Sequence, residues 1–331
     1  MKKILNRPVD YVDEMLDGLC AAHPDIYAQP SPRVITRAGG ATAGKVGLVT
    51  GGGSGHLPVF TGYVGRGLLD ATAIGDVFAS PSAEQMAEAM RRADGGAGVL
   101  RLYGNYGGDV MNFDMAGEML EMEDIASTTV VLADDVASAA PEERAKRRGV
   151  AGMIYAFKIA GARAEERASL DEVTTTAQKA ADACRSIGMA LSPCIVPQAG
   201  RPTFELGEDE MEMGMGIHGE PGIWRDKTKP ADAITDEMMD RLLADTPLGR
   251  DDRVSILVNS LGATPLEELY IMFRRAKARL DDLGVAITMP LVGRYATSME
   301  MTGATMTICR LDGELERLLR APANCAYWTV T

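Results

Sequence analysis

Three side chains in this sequence combine reactive types with unusual settings. His56 closes the run Gly51-Gly52-Gly53-Ser54-Gly55-His56. Asp109 follows the paired glycines Gly107-Gly108, and His218 lies within Gly214-Met215-Gly216-Ile217-His218-Gly219-Glu220-Pro221-Gly222. The chain has only three histidines, and the third, His23, sits in a proline-flanked stretch with no reactive neighbour. Glycine permits positive φ and close approach of a second group to the backbone. A glycine-framed imidazole can therefore stand beside a small polar molecule. One imidazole can act as a nucleophile while a second imidazole and a carboxylate move protons. Each residue also has a plainer reading. The His218 stretch is equally a surface turn, Asp109 a helix N-cap, and His56 a polar residue facing solvent. The three together, in so histidine-poor a chain, argue for a site.

Two other glycine chemistries are excluded. Gly51–His56 lacks the Lys-Ser/Thr pair of a P-loop. Gly214-x-Gly216-x-x-Gly219 spells a dinucleotide fingerprint, but an acidic run precedes it and Pro221 prevents a helix from following directly. The formal net charge of −13 speaks against nucleic-acid and anionic-membrane partners. Five dispersed cysteines, with no C-x-x-C pair, suit reduced thiols rather than a disulfide framework or a zinc site. No apolar run approaches the roughly 20 residues of a membrane span. The acidic runs Asp134-Asp135 and Glu208-Asp209-Glu210 read as solvated turns, so no metal site is expected. These features point to a cytoplasmic protein.

The elements that must carry these residues alternate between strand and helix. The periodicity predicts a helix over 11–22, a strand over 46–50 running into the glycine loop, a strand over 98–103 and a helix headed by Asp109. A strand over 128–132 and helices over 152–165 and 170–187 complete a first α/β domain, residues 1–187, with a mostly parallel sheet. Residues 188–331 form a second, α+β domain. It carries the His218 loop, strands over 253–259, 286–292 and 305–309, a helix opened by Pro265 and a helix over 312–319.

The motifs then become specific. Gly51–His56, Asn105-Tyr106 with Gly108-Asp109-Val110-Met111-Asn112-Phe113, and Gly216–Gly222 resemble the substrate-binding subunit of dihydroxyacetone kinase. Further matches run from Arg148-Gly149-Val150-Ala151-Gly152 through Pro202–Gly207 and Asn259–Tyr270 to Ser298–Met301. The resemblance implies a two-domain α/β homodimer that holds dihydroxyacetone as a hemiaminal on His218. It implies an acid/base pair at His56 and Asp109, and substrate contacts at Gly53, Ser54, Gly55 and Gly104. A hemiaminal needs a carbonyl, so glycerol would be rejected. It further implies no cofactor in this chain, because the Mg-nucleotide resides on a separate nucleotide-binding (L-type) subunit. The ultimate donor is then ATP or a phosphotransferase-system relay. Three positions depart from the family's usual residues: Leu57 for Glu, Gly104 for Lys and Gly107 for Thr. They suggest a wider pocket for a longer ketose such as erythrulose. Because some relatives are coactivators of transcription regulators, a non-catalytic role is the second class of reading.

Overall fold

The computed structural model describes residues 2–331. The first sheet contains β1 (Tyr27–Ser31), β2 (Val34–Arg37), β3 (Gly47–Ser54), β4 (Ala71–Val77), β5 (Val99–Gly104) and β6 (Ser127–Leu132), in the order β1-β2-β4-β3-β5-β6. The pairs β3–β4, β3–β5 and β5–β6 are parallel, and the β1-β2-β4 edge is antiparallel. The second sheet contains β7 (Cys184–Ser192), β8 (Glu210–Met213), β9 (Trp224–Lys227), β10 (Arg253–Ser260), β11 (Ala286–Ile287), β12 (Leu291–Gly293) and β13 (Thr302–Leu311). It is antiparallel along β10-β13-β7-β8-β9, with β11 and β12 parallel to β10. The helices are α1 (Tyr11–Ala22), α2 (Ala83–Ala93), α3 (Gly107–Glu121), α4 (Met153–Glu165), α5 (Leu170–Asp182), α6 (Ala231–Asp245), α7 (Leu266–Asp282) and α8 (Gly313–Arg320).

Burial explains the layering. One apolar cluster runs from Leu100 and Leu102 of the first sheet through Phe157 and Ile159 of α4 to Leu311 and Leu315 near the C-terminus. Helix α4 has few polar residues because it is covered almost all round. A second cluster joins Met189, Met213 and Ile256 to Met239 of α6 and Leu269 of α7. A third packs α2 and α3 on the first sheet through Met90, Tyr103 and Phe113.

Several sequence expectations need correction. The helix expected over 170–187 ends at Asp182, and residues 184–192 form β7 of the second sheet. The domain boundary expected at 187/188 therefore falls inside a strand, and the change of sheet occurs at Ala183. Gly51–Ser54 do not form a loop but extend β3, buried throughout. Their glycines serve close packing: a Cβ on Gly52 would lie 2.2 Å from the Phe60 ring, and one on Gly53 2.6 Å from the Ala79 nitrogen. The strand expected over 286–292 is broken into β11 and β12 around Met289, whose φ is +51°. Pro265 and Asp312 are N-caps rather than members of their helices.

Candidate active site

The expected site residues come together between the two sheets, where chain leaves the carboxyl ends of parallel strands β3 and β5. That edge is where open α/β sheets build sites. His56 follows β3 after a turn at Gly55, whose φ of +101° favours glycine. Asp109 follows β5. It is the third residue of α3 and not its N-cap, a position held by Tyr106 without a side-chain cap. Its carboxylate lies in the helix's first turn, where the dipole favours negative charge. His218 arrives from the second sheet on the turn after β8. That turn is anchored where the Gly214 N–H donates to the Gly188 carbonyl at 2.7 Å.

His56 and His218 meet edge to face, with ring centroids 4.8 Å apart. Tyr106 approaches His218 at 4.6 Å and Phe78 at 5.3 Å, and Phe78 also stacks on His56 at 4.9 Å. The His56 Nδ1–H donates to the Thr297 carbonyl at 2.7 Å, which assigns the proton and leaves Nε2 as a buried lone pair without a partner. Burial, with His218 nearby, pulls the His56 pKa down to about 3 against the raising effect of the Thr297 hydrogen bond. His56 is therefore neutral at physiological pH. Asp109 is also buried, and its Oδ1 has no partner. Burial raises its pKa to about 6, with Ser80 and then His218 pulling the other way. Unsatisfied buried polar atoms are rare and call for an explanation. Here two of them, His56 Nε2 and Asp109 Oδ1, lie near the partly buried His218, an arrangement of acceptors suited to a small polar molecule.

The His218 Nδ1 lies 2.7 Å from Glu220 Oε1, and the His218 backbone N–H donates to Oε2 at 2.9 Å. Burial would raise the Glu220 pKa, but its hydrogen bonds and charge interaction with His218 outweigh that and hold it at about 2. An ionised carboxylate only accepts, so Nδ1 carries the proton, and Nε2 has no protein partner among the described residues. Arg148 lies behind this carboxylate, with Nη1 4.0 Å from Oε2, and is itself held by Asp135 at 2.8 Å and the Gly214 carbonyl at 3.1 Å.

Sequence reasoning passed over Glu220, Tyr106, Phe78 and Thr297 as functional residues. Glu220, two residues from His218, was the one with a local signal. The other three reach the histidines only through the fold.

The remaining expected residues divide. Gly53 and Ser54 are buried at the end of β3, and Gly104 is buried at the end of β5. Ser54, Gly55 and Leu57 also line a neighbouring groove of about 330 Å³ with Tyr11, Arg294 and Glu300. Leu57 thus belongs to that groove's wall. A Cβ on Gly104 would meet Met153 Sδ at 3.1 Å and the Tyr106 ring at 3.3 Å, whereas one on exposed Gly107 would meet nothing within 4 Å.

Among the described residues, no helix is long and apolar enough to cross a membrane. A family profile described as Dak1 domain matches residues 17–327. The chain is 44% identical to the dihydroxyacetone-binding subunit DhaK of the PTS-dependent dihydroxyacetone kinase 1 of Listeria innocua, covering 99% of this chain and all of that one. It is 42% identical to the L-erythrulose 1-kinase of Mycolicibacterium smegmatis, over 98% of this chain and 57% of that protein. Its fold matches the solved dihydroxyacetone kinase operon co-activator Dha-DhaQ with a TM-score of 0.89 and 31% identity, over 95% of this chain and 97% of that one. These relatives include kinases acting on short ketoses and one co-activator.

Proposed function

This chain belongs to the Dak1 domain family, and on that premise we propose that it is the ketose-binding subunit of a dihydroxyacetone-type kinase. It holds the ketose covalently on His218 and presents the terminal hydroxyl to a phosphoryl donor on a nucleotide-binding partner subunit. The observation that carries this reading is the pair of imidazoles 4.8 Å apart, each with Nδ1 engaged and Nε2 free of protein partners.

The His218 Nε2 lone pair forms the C–N bond to the ketone carbon. The carbonyl π pair moves to oxygen, which takes one proton from solvent. No leaving group departs, and the ring keeps its Nδ1 proton. Phosphoryl transfer then requires a base for the terminal hydroxyl. A pKa near the working pH suits a general base, so Asp109, at about 6, is the better proton acceptor. His56, at about 3, is a neutral hydrogen-bond acceptor that orients the hydroxyl. Positioning of this kind does most of the work in phosphoryl transfer. The Mg-nucleotide belongs to the partner, and the donor behind it is ATP or a phosphotransferase-system relay. The active form is a cytoplasmic homodimer joined by that partner.

For the substrate, dihydroxyacetone is the first choice and erythrulose the second. The second is kept because the chain is also 42% identical to an L-erythrulose 1-kinase. The co-activator reading rests on overall likeness alone, and His218, His56 and Asp109 weigh against it.

The deciding experiment is intact-mass analysis of the native protein with dihydroxyacetone, erythrulose or glycerol. A ketose adduct that is absent with glycerol and absent in His218→Ala supports the proposal. No adduct with either ketose, together with no kinase activity beside any nucleotide-binding subunit, overturns it.

A further inference from the structure

The His218 loop contains a carboxylate to which the reaction steps above assign no role. We infer that Glu220 is the positioning residue of the nucleophile: it fixes the His218 tautomer and balances the positive charge that the ring acquires when Nε2 becomes bonded to carbon. This rests on the reading of His218 as the covalent holder.

Both oxygens of Glu220 are committed to the same residue, one to the ring Nδ1–H at 2.7 Å and one to the backbone N–H at 2.9 Å. The loop is shaped to permit this. The Gly219 φ of +83° turns the chain back so that residue 220 faces residue 218. The Gly216 N–H donates to the Glu220 carbonyl at 3.1 Å. A Cβ on Gly216 would lie 2.1 Å from Glu220 Oε2 and 2.6 Å from Arg148 Nη1, so the carboxylate and its guanidinium neighbour occupy the space that only glycine leaves.

The electronic argument follows. A neutral imidazole divides its proton between two nitrogens, and only the tautomer with Nδ1–H leaves Nε2 nucleophilic. A carboxylate on Nδ1 selects that tautomer. After attack the ring carries a full positive charge, and the other ring-facing groups, His56, Phe78 and Tyr106, bring no negative charge to it. Asp109 is the other carboxylate in the cluster, and it is taken up as the base. Glu220 is the counter-ion already in place.

Histidine-ring ¹⁵N NMR of the intact protein reads the tautomer, and native mass spectrometry reads the adduct, in wild type, Glu220→Gln and Glu220→Ala. The Gln variant keeps an acceptor for Nδ1–H but no charge. It should retain the wild-type ring shifts while ketose affinity falls on the order of 10-fold, the difference between a charge-assisted and a neutral hydrogen bond. The Ala variant should also lose the Nδ1–H signature, with the signals of His23, which lies outside the site against Tyr27, unchanged as the check on folding. Should the Ala variant fail to fold, the Gln variant decides. Wild-type affinity in Glu220→Gln, or a retained Nδ1–H tautomer in a folded Glu220→Ala, overturns the inference. Absence of any adduct in wild type instead defeats the covalent reading, and the ring shifts still judge Glu220 as the tautomer's keeper.

Discussion

Replacing Asp109 by Asn should stabilise the protein at neutral pH while disabling it. The carboxyl is buried, its Oδ1 has no hydrogen-bond partner, and its pKa is raised from 3.8 to about 6. About two units at 1.36 kcal/mol each make the ionised form roughly 3 kcal/mol less favourable in the folded chain than in the unfolded one. The sign follows from proton linkage. Between pH 3.8 and about 6 the native state binds the proton more tightly, so unfolding free energy falls as pH rises through that window. Below it both states are protonated and the penalty vanishes; above it the full penalty applies. An amide of the same shape never ionises. Asp109→Asn should thus exceed wild type by up to about 3 kcal/mol at pH 7.5 and match it near pH 4. With about 2.1 cal/mol/K of unfolding entropy per residue over 331 residues, that gain is roughly 4 °C in Tm. Thermal denaturation in matched buffers from pH 4 to 8 measures it. Ketose phosphorylation with a partner subunit supplied should fall by about 10² to 10⁴, the range for loss of a general base. An Asn variant no more stable than wild type at pH 7.5, or a stability difference flat across the range, would refute the reasoning.

Other outcomes can be stated briefly. Gly52→Ala places a Cβ 2.2 Å from the Phe60 ring, and overpacking of this kind should destabilise by about 1–3 kcal/mol in urea denaturation. Gly107→Thr meets open space, so stability should change by no more than about 0.5 kcal/mol. If Gly107 widens the pocket, the same variant should lower the ratio of erythrulose to dihydroxyacetone phosphorylation. Lys158 is buried on α4, and its Nζ donates only to the Leu318 carbonyl at 2.7 Å. Burial lowers its pKa to about 8, so its charge opposes folding most below that pH and ceases to do so as pH rises towards 10.5. Lys158→Met should therefore raise Tm at pH 7, with a smaller gain at pH 10.

The residues of the proposed site were legible because rare types sat beside local backbone signals. His56, Asp109 and His218 each stand next to glycines that open space around them. The same glycines misled on local structure: Gly51–Gly53 read as a loop, yet they form a strand packed against Phe60 and the chain at Phe78–Ala79. Helix α1 matched its expected bounds because its apolar stripe was regular. The change from α5 to β7 was concealed because the strand is buried on both faces, and a short apolar run of that kind cannot be told by periodicity from the continuation of a buried helix. Residues 27–37 and 71–93 contain β1, β2, β4 and α2, none of which was anticipated. Short strands interrupted by proline or threonine lack a decisive period. Glu220 stood in plain view but was taken as part of a turn, because its meaning depends on a side-chain geometry that spacing alone does not express.

The strap between His56 and residues 297–299 has a consequence for how the protein comes to exist. The Thr297 carbonyl receives the His56 Nδ1–H, the Thr297 hydroxyl donates to the Leu57 carbonyl at 3.0 Å, and the Met299 N–H donates to the Gly55 carbonyl at 2.8 Å. During synthesis both histidines leave the ribosome well before residue 297 does. A nascent chain at that stage holds both imidazoles but not the wall that fixes the His56 ring. The two halves of the proposed site are therefore oriented only once residues 297–299 have emerged and closed against Gly55–Leu57.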